Sequence, residues 1–584
     1  MRMLVKNNVK FLKRVLQLAS QRRFADFSYL HNVGKEPLRP LTLGQLLGEK
    51  CVTFADVPAI ISVHQNQRMS FGEVLDEADK LAASLRALGL KTGDRVGLWA
   101  PNLIEWYVVH MACARAGVIL VNINPAFQPK EIQYCINKVG VKSLICAHKF
   151  RKQNYYDILN VIAPELSNSD PGKIKCKAVP SLESIIIITD EDLRGAYKYQ
   201  EIFDLATPEG ISSIRSLQNS ILMDEPAHIQ FTSGTTGHPK AAAVSHFSMV
   251  NNSHYVGKRN ELDRKYHRMC IQVPLFHAIG TVIAILGGLH HGATMVLPSA
   301  GYNPDKNLDA IRDEKCSVIY GTPTMYVDLI DRQKQRNEII APEIACVGGA
   351  VCSPHLFTEM KNVLKLKRMK SLYGQTELTA VAFQTLYDEE EHLTLSTVGY
   401  IQEHLEAKVV DSEGKMVPFG TPGELCVRGY SSLLRFWDDD NRTQETMGQD
   451  KWLKTGDQFI LEPSGYGRIV GRLKEMLIRG GENIFPKEIE DFLMTHPSIL
   501  EVHIIGIPHE RLGEEVCAVV KLNEGKSLNL EDIRNFCQGN ISNFKIPTML
   551  KIVTSFPKTT SGKIQKFKLI EAIVNNQKQE NVNL

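Results

Sequence analysis

Long apolar runs are missing from this sequence. It contains no stretch of eighteen consecutive apolar residues, which is about the length that a membrane-spanning helix needs. The nearest candidate, AIGTVIAILGGL at 278–289, is too short and too rich in glycine. We therefore expect no transmembrane segment, and we expect this stretch to lie in buried core or in a pocket wall.

Paired cysteines are also missing. The twelve cysteines form no CxxC pair and show no spacing typical of metal ligands. In a chain of 584 residues, such scattered cysteines are typical of free thiols in a reducing compartment. A single reactive thiol among them is the alternative.

Acidic residues are absent from the first 25 positions, which carry seven lysines or arginines. Without these seven charges the net charge falls from +3 to −4, so the remaining chain is mildly acidic. A mildly acidic chain lacks the basic surface typical of nucleic-acid binding, so we expect no nucleic-acid partner.

The same N-terminal segment has an amphipathic pattern. Val5, Val9, Leu12 and Leu16 fall on one helical face, beside basic residues. A basic, acid-free, amphipathic N-terminus is typical of a mitochondrial transit peptide, here residues 1–25, with cleavage expected near RRFA and the mature protein in the matrix. A solvated basic tail or a helix lying on a membrane surface is the alternative.

The body of the chain alternates helical and strand patterns. Residues 69–90 predict a helix, 93–100 a short buried strand, and 104–124 a helix, a glycine break and another strand. Such alternation is typical of βαβ units around a parallel sheet. Residues 164–182 predict a loop, and the alternation resumes after 226.

The later part of the chain differs in composition. Glycine and proline punctuate short strands between about 405 and 470, which predicts antiparallel β structure. We therefore expect an α/β protein of at least two domains. A large N-terminal domain at 26–471 would combine layered α/β subdomains with a small β-structured subdomain, and a small mobile α+β lid domain would occupy 472–584.

The segment FTSGTTGHPK at 231–240 predicts phosphate binding. Its glycines allow close backbone approach, its backbone amides and hydroxyls are anion donors, and a lysine supplies a point charge. The spacing is not that of a P-loop NTPase, and a mobile surface loop is the alternative. The candidate ligands are Thr232, Ser233, Gly234, Thr235, Thr236, Gly237, His238, Pro239 and Lys240.

Five motifs occur in a fixed order along the chain. They are TSGTTGHPK, YGQTE at 373–377, TGD at 455–457, GRLKEMLIRGGENIFPKEIE at 471–490 and PKTTSGKIQK at 557–566. Together they resemble the signature set of the adenylate-forming superfamily, which includes acyl-CoA synthetases, luciferases and peptide-synthetase adenylation domains. The resemblance extends from about residue 40 to 575, and ELCVRGY and GTPTMYVD are most similar to mitochondrial medium-chain acyl-CoA ligases of the acyl-CoA synthetase family member 2 type.

The resemblance implies a fatty acid–CoA ligase that uses ATP, Mg²⁺ and coenzyme A. Carboxylate and MgATP would form an acyl-adenylate and pyrophosphate, and the coenzyme A thiol would then expel AMP. An aryl or aromatic-acid CoA ligase and a non-catalytic nucleotide-binding homologue are the alternatives. The chain-length range and the oligomeric state stay open.

Four residues are implied to bind MgATP. Asp457 and Arg472 would contact the ribose, with a turn aspartate and a surface arginine as the alternatives. Glu377 would bind Mg²⁺ and Thr376 the α-phosphate. Helix capping by the threonine and dipole matching by the glutamate is the alternative for this pair.

Tyr373 is implied to lie against adenine, with Gly348, Gly349 and Ala350 lining the same pocket; a buried core tyrosine is the alternative. Gly374 stands where relatives that use acetate carry tryptophan. It is therefore expected to leave the acyl pocket open, so that Gly374→Trp should shift the preference towards acetate. A tight backbone turn is the alternative role of this glycine.

The remaining implied residues act on the substrate or move the lid. Lys563 would bridge the carboxylate and the α-phosphate, and His277 would lie near the acyl and phosphate sites. Lys474 matches the hinge position, while Gly480 and Gly481 would flank the thiol arm of coenzyme A. A solvated lysine and a packed core histidine are the alternatives for the first two.

Two positions depart from the family pattern. The residue after the phosphate-segment lysine is commonly glycine in the family and is Ala241 here. Arg435 replaces a frequent glycine before an aromatic–tryptophan pair. These changes leave the local loop geometry open and are not expected to alter the chemistry.

Overall fold

The structure is a computed structural model that describes most of the chain. It covers residues 26–582 apart from 233–238, 350–351, 353, 480–481, 510, 539 and 560–561. The predicted transit peptide at 1–25 therefore lies outside the described residues.

Two large mixed sheets form the centre of the N-terminal domain. One follows the strand order Tyr197–Lys198, Ser184–Ile188, Val141–Ala147, Arg95–Trp99, Ile119–Ile123, Pro226–Thr232, Lys240–Ser245, Arg435–Phe436. Its first six strands run parallel and the last two are antiparallel additions. The predicted parallel βαβ arrangement is confirmed for this sheet.

The second mixed sheet has the same character, with six parallel strands in its centre and antiparallel strands at both edges. Its strand order is Tyr400–Ile401, Phe383–Gln384, Arg368–Tyr373, Ile344–Gly348, Val318–Gly321, Arg268–Ile271, Thr294–Leu297, Pro58–Ser62, Gln67–Ser70. The carboxyl ends of its parallel strands bring motif residues together, as expected at the functional edge of an α/β sheet.

A third sheet is fully antiparallel, which confirms the prediction for residues 405–470. Its strand order is Tyr29–Asn32, Leu405–Val410, Gly423–Gly429, Leu453–Leu461, Gly467–Arg472. A small hairpin of Lys149–Phe150 and Gln153–Asn154 stands apart from these sheets.

Helices cover the sheets, and their ends follow local sequence signals. The predicted helix at 69–90 is Phe71–Ala87, which begins with a capping box formed by Ser70 and Glu73. Gly117, in left-handed conformation, ends the helix Glu105–Ala116 as the glycine break predicted. The other α-helices of this domain are Leu43–Phe54, Pro129–Val139, Tyr155–Ile162, Pro208–Leu217, His246–Arg259, Gly287–His291, Pro304–Asp313, Pro323–Arg336, Pro354–Leu364, Glu391–Ser396 and Asp440–Thr446.

Shorter helical turns occur at irregular positions. The predicted loop at 164–182 begins with the 3₁₀ turn Pro164–Asn168, because a proline at its start fixes the first backbone angle. The apolar stretch AIGTVIAILGGL contains the π-helix Ile279–Leu286, all of it buried, which confirms its predicted burial. The further 3₁₀ turns are Glu201–Leu205, Thr376–Leu378, Leu473–Glu475 and Asn543–Lys545.

The C-terminal domain has its own sheet and its own hydrophobic clusters. Its sheet consists of Glu482–Ile484, Leu477–Arg479, Gly513–Leu522, Ile499–His509 and Met549–Ile552. Its helices are Pro486–Leu493, Leu530–Cys537 and Lys566–Val582. The predicted boundary at Arg472–Lys474 begins at the last residue of the antiparallel sheet and ends before the first strand of the C-terminal sheet, Leu477–Arg479. It stays a prediction.

Two further observations concern the expectations about membrane spans and cysteines. Within the described residues, no helix combines the length and apolar character needed to cross a membrane. All twelve cysteines are free thiols, and eleven of them are buried.

Candidate active site

Asp457 occupies a fixed position on the antiparallel sheet. It lies in the strand Leu453–Leu461, directly opposite Arg472 in the next strand. Its Oδ1 atom is 3.1 Å from Arg472 Nε, and its Oδ2 atom accepts a 2.7 Å hydrogen bond from the Tyr373 hydroxyl. Burial raises the pKa of Asp457, and Arg472 and Tyr373 oppose that rise. Each carboxylate oxygen still has lone-pair capacity for a further donor, such as a ribose hydroxyl.

Tyr373 ends the strand Arg368–Tyr373 and packs against two phenylalanine rings. The ring centroids lie 6.2 Å from Phe383 and 5.6 Å from Phe459. Burial, and then the charge of Asp457, hold the pKa of Tyr373 well above its ordinary value, so its hydroxyl stays a donor. The residue is therefore a core tyrosine that also orients Asp457, and its predicted contact with adenine stays a prediction.

Arg472 belongs to the site through its charge, although 54% of its side chain is exposed. The Asp457 carboxylate is the main cause of its raised pKa, and Glu475, Tyr373 and Glu377 act in the same direction. An exposed guanidinium paired with a buried carboxylate can turn one edge towards a bound ligand, as its predicted ribose contact requires.

Thr376 and Glu377 are the first two residues of the 3₁₀ turn Thr376–Leu378, which follows the strand that ends at Tyr373. The residue before this turn is Gln375, and no side chain caps it. The capping role considered for Thr376 is therefore not observed. Thr379 comes next with φ of 65°, an uncommon conformation for a β-branched residue, and its hydroxyl donates to the Ser431 carbonyl over 2.7 Å. This strained bend fixes the direction in which the turn presents Thr376 and Glu377.

The two ends of the phosphate segment meet across a pair of strands. Thr232 ends one strand, Lys240 begins the next, and the two residues pair directly. Pro239 is held by the Tyr134 hydroxyl, which donates to its carbonyl over 3.2 Å. Burial lowers the pKa of Lys240, and the Glu377 carboxylate opposes that shift. Lys240 is thus close enough to Glu377 for their charges to interact, as one phosphate site requires.

Lys563 comes from the C-terminal domain and enters the N-terminal domain. It lines a cavity of about 10 Å³ together with His277, Ile279, Thr322 and Gly349. Burial, and then the charge of Arg472, lower the pKa of Lys563, while the carboxylates of Glu377, Asp457 and Glu475 favour its charged form. A solvated lysine is therefore not what the structure shows.

A short turn presents this lysine. The Lys563 backbone N–H donates to Thr559 Oγ1 over 3.0 Å, and the Thr559 N–H donates to the Lys563 carbonyl over 2.7 Å. Gly562 has φ of +82°, in the left-handed region that favours glycine. The Gly562 carbonyl accepts a 3.0 Å hydrogen bond from Thr324 Oγ1, so the turn is docked on the N-terminal domain.

His277 faces Lys563 as a neutral imidazole. The Ile279 backbone N–H approaches its Nδ1 atom at 3.4 Å, so Nδ1 is the acceptor and Nε2 carries the proton. Burial, and then the charge of Lys563, lower the pKa of His277 to about 3. It can therefore donate a hydrogen bond near neutral pH without adding charge.

Two positions of the site are glycine for different structural reasons. Gly349 has φ of +83°, a conformation that side chains rarely adopt, and it lines the cavity beside Ile279. A Cβ atom on Gly374 would lie 2.0 Å from the Ala380 carbonyl oxygen and 2.7 Å from Val381 Cα. This close approach favours the alternative role of Gly374, a tight backbone turn, and the expected shift of Gly374→Trp towards acetate stays a prediction.

Several predicted residues lie outside the described part of the chain: Ser233, Gly234, Thr235, Thr236, Gly237, His238, Ala350, Gly480 and Gly481. Lys474 is described within the turn Leu473–Glu475, and its role as a hinge stays a prediction.

The departures from the family pattern fit regular structure. Arg435 pairs with Ala243 at the edge of the eight-stranded sheet, and its guanidinium lies 5.0 Å from the Trp437 ring centroid. The Ala241 carbonyl accepts a 2.7 Å hydrogen bond from the Trp437 backbone N–H. Both positions therefore belong to an ordered strand edge.

Sequence reasoning missed the contacts that dock Lys563. Thr322 and Thr324 lie at the start of the helix Pro323–Arg336, and their hydroxyls are 3.2 Å apart. Because Thr322 makes no capping hydrogen bond with its side chain, its hydroxyl faces the Gly562 turn instead. The Thr-Pro-Thr sequence signals a helix start, but nothing in it indicates a partner 238 residues away.

Thr324→Val should weaken this docking. We expect formation of the acyl-adenylate that the family resemblance implies to fall about threefold to tenfold, since one hydrogen bond to the lysine turn is lost and the volume is kept. Single-turnover rates of the two half-reactions would measure the effect, and conversion of preformed acyl-adenylate should not change. Equal losses in both half-reactions would contradict a role limited to docking.

Two family models match this chain. The model of the AMP-binding enzyme family matches residues 47–437, and that of the AMP-binding enzyme C-terminal domain matches residues 488–563.

Similar proteins include a curated medium-chain acyl-CoA ligase ACSF2, mitochondrial, of Danio rerio, 40% identical over 93% of this chain and 90% of that protein. Its Bos taurus counterpart is 39% identical over 96% of this chain and 91% of that protein. Among solved structures, the anthranilate CoA ligase AuaEII in complex with anthranoyl-AMP superposes with a TM-score of 0.80 at 23% identity, covering 92% of this chain and 98% of that one.

Proposed function

The chain belongs to the AMP-binding enzyme family and is an AMP-forming acyl-CoA ligase, and from that premise we propose that its acid substrate is a medium-chain fatty acid. The observation that carries the proposed mechanism is the position of Lys563, which reaches from the C-terminal domain into a cavity lined by His277 and Gly349. The relatives at about 40% identity, named as medium-chain ligases, support the acid class.

In the first half-reaction the fatty carboxylate attacks the α-phosphorus of ATP and releases pyrophosphate. Because both reactants are anions, we propose that Lys563 lies between them and stabilises the charge of the transition state. His277 would donate its Nε2 proton as a hydrogen bond to one of the oxygens, because its pKa of about 3 keeps it neutral. Asp457, oriented by Tyr373, would accept from the ribose hydroxyls.

Glu377 fits the role of a magnesium ligand when ATP is bound. Within the described residues, no group of three or more metal-ligating side chains is found, so these residues alone offer no complete metal site. Magnesium in enzymes is usually held by one or two carboxylates together with substrate phosphates. Glu377, whose charge interacts with Lys240 and Lys563, would supply that carboxylate, and the ion would neutralise phosphate charge.

In the second half-reaction the thiol of coenzyme A attacks the acyl carbonyl and AMP leaves. While Lys563 fills the cavity beside the reacting centre, little room is left for a thiol arm. We therefore propose that the C-terminal domain rotates about Lys474, withdraws Lys563 and presents the segment containing Gly480 and Gly481. Glu475, next to the hinge, lies 3.6 Å from Lys566 Nζ, a contact that rotation could change.

The acid class is tested by a panel of acids in an AMP-release assay. Each buried methylene contributes about 0.8 kcal/mol, so the additional methylenes of octanoate, about six, should raise kcat/KM over that of acetate by about 10³- to 10⁴-fold. We propose that the acyl chain binds along the buried wall that begins at Ile279. The cavity of about 10 Å³ is smaller than such a chain, so this wall would move on binding, and π-helices are frequent at such functional positions. Benzoate and coumarate serve as flat competitors; a preference for either would favour an aromatic-acid ligase.

We also propose a mitochondrial location, in the matrix. The basic, acid-free residues 1–25 and the mitochondrial names of the relatives support it. Fusion of residues 1–25 to a fluorescent reporter should direct it to mitochondria, and the imported product should be shorter by about that segment. A reporter that carries Gln in place of the seven basic residues is the control, and a diffuse signal from the unaltered fusion would contradict the proposal.

A further inference from the structure

A second cavity lies beside the phosphate segment and is not used by the mechanism above. It has a volume of about 210 Å³ and lies between the helix Pro129–Val139, the start of the strand Lys240–Ser245 and the turn that leads into the helix Asp440–Thr446. One water needs about 10–15 Å³, whereas sites for drug-sized ligands begin at about 300 Å³. The cavity therefore suits a small inorganic group better than a nucleotide.

The lining of this cavity is cationic. Lys138, Lys240 and Arg442 contribute three positive charges, against one carboxylate, that of Asp439. Asp439 Oδ2 lies 3.3 Å from Arg442 Nε, so this carboxylate already has a partner. The cavity therefore keeps an excess of positive charge and favours an anion with several negative charges.

The walls of the cavity are tied to one another. Lys138 Nζ donates to the Asp438 carbonyl over 2.9 Å, and the Trp437 backbone N–H donates to the Ala241 carbonyl over 2.7 Å. The Trp437 ring also contacts the guanidinium of Arg95, 5.7 Å from the ring centroid, which adds positive charge at the same edge. A site whose cations are held by the fold loses little side-chain entropy on binding an anion.

Lys240 connects this cavity with the reaction site. It lines the cavity, and its charge also interacts with Glu377, the carboxylate proposed to hold magnesium. An anion leaving the phosphate segment past Lys240 would therefore meet Lys138 and Arg442 next.

We propose that this cavity is a subsite for inorganic pyrophosphate, which occupies it after leaving the α-phosphorus and before it reaches solvent. The inference rests on the proposed half-reaction that releases pyrophosphate. The phosphates of coenzyme A are also multiply charged anions that could bind in this cavity. An experiment must therefore distinguish binding of pyrophosphate from binding of coenzyme A.

Direct binding tests the subsite without turnover. The full chain is saturated with α,β-methylene ATP and Mg²⁺, which fills the reaction site, and radiolabelled pyrophosphate is added in equilibrium dialysis. We expect about one pyrophosphate per chain in the wild type, and we expect Lys138→Gln and Arg442→Gln each to weaken its binding at least about tenfold. Lys177→Gln removes an exposed charge that does not line the cavity and should bind as the wild type does.

The affinity for α,β-methylene ATP, measured for each variant, reports on folding and on the reaction site. Loss of pyrophosphate binding with that affinity unchanged supports the subsite. No pyrophosphate bound once the analogue is present, equal binding by all variants, or stoichiometric displacement by coenzyme A would each overturn it. Absence of octanoate-dependent exchange between ATP and pyrophosphate in the wild type would instead count against the proposed function, so the two failures are distinguishable.

Discussion

Lys563→Ala is expected to lower the rate of acyl-adenylate formation by about 10²- to 10³-fold, the effect of removing one preorganised charge stabiliser. The lysine is the group contributed by the C-terminal domain to the cavity lined by His277 and Gly349. Its loss leaves the carboxylate and the α-phosphate without the cation between them. Exchange of pyrophosphate into ATP, dependent on octanoate, measures this half-reaction alone.

The second half-reaction supplies the internal control. Conversion of preformed acyl-adenylate to acyl-CoA should proceed at close to the wild-type rate, because we propose that Lys563 is withdrawn for that step. Lys568→Ala removes an exposed lysine of the following helix and should change neither half-reaction. If Lys563→Ala slowed both half-reactions equally, the proposed alternation of the lid domain would be wrong.

The same lysine determines an expected pH dependence. Burial and the charge of Arg472 lower the pKa of Lys563, so it loses its proton at a lower pH than an ordinary lysine. Because the protonated form is the one that bridges the anions, adenylation should decline on the alkaline side earlier than an ordinary lysine would allow. The thioester-forming step should lack this limb when it is measured from preformed acyl-adenylate.

Regular parts of the fold were predictable because their signals are local. Polar and apolar residues alternate with helical period in Phe71–Ala87, and Gly117 marks the end of the next helix. The π-helix Ile279–Leu286 was not predictable, since a segment buried on every side has no polar face from which a period could be read.

The motifs predicted which residues form the site but not the contacts that those residues make. The TGD motif implied a role for Asp457, while the 2.7 Å hydrogen bond from Tyr373 depends on how two separate sheets meet. Gly374 shows the opposite limit. The sequence alone does not show whether a glycine in a motif keeps a pocket open or allows backbone to approach closely. At Gly374 the nearby carbonyl of Ala380 favours close backbone approach.

Asp457→Asn should have the other large effect, a fall of about 10²-fold in kcat/KM for ATP. The amide has one acceptor oxygen where the carboxylate has two, and it leaves Arg472 without its counter-charge. Losing one charge-assisted hydrogen bond to the ribose, at about 1.5–3 kcal/mol, and reducing the other to a neutral one, which is weaker by about 1 kcal/mol, accounts for this magnitude. The wild type should also discriminate against 2′-deoxy-ATP and 3′-deoxy-ATP, and the variant should discriminate much less.

Tyr373→Phe separates orientation of the carboxylate from direct recognition of the ribose. It removes the hydroxyl that donates to Oδ2 but keeps both acceptor oxygens and the ion pair with Arg472. We therefore expect a loss of about tenfold or less, with discrimination against the deoxynucleotides retained. If Asp457→Asn still discriminated as the wild type does, the ribose would be recognised elsewhere, and Asp457 would serve only to hold the exposed guanidinium of Arg472 in place.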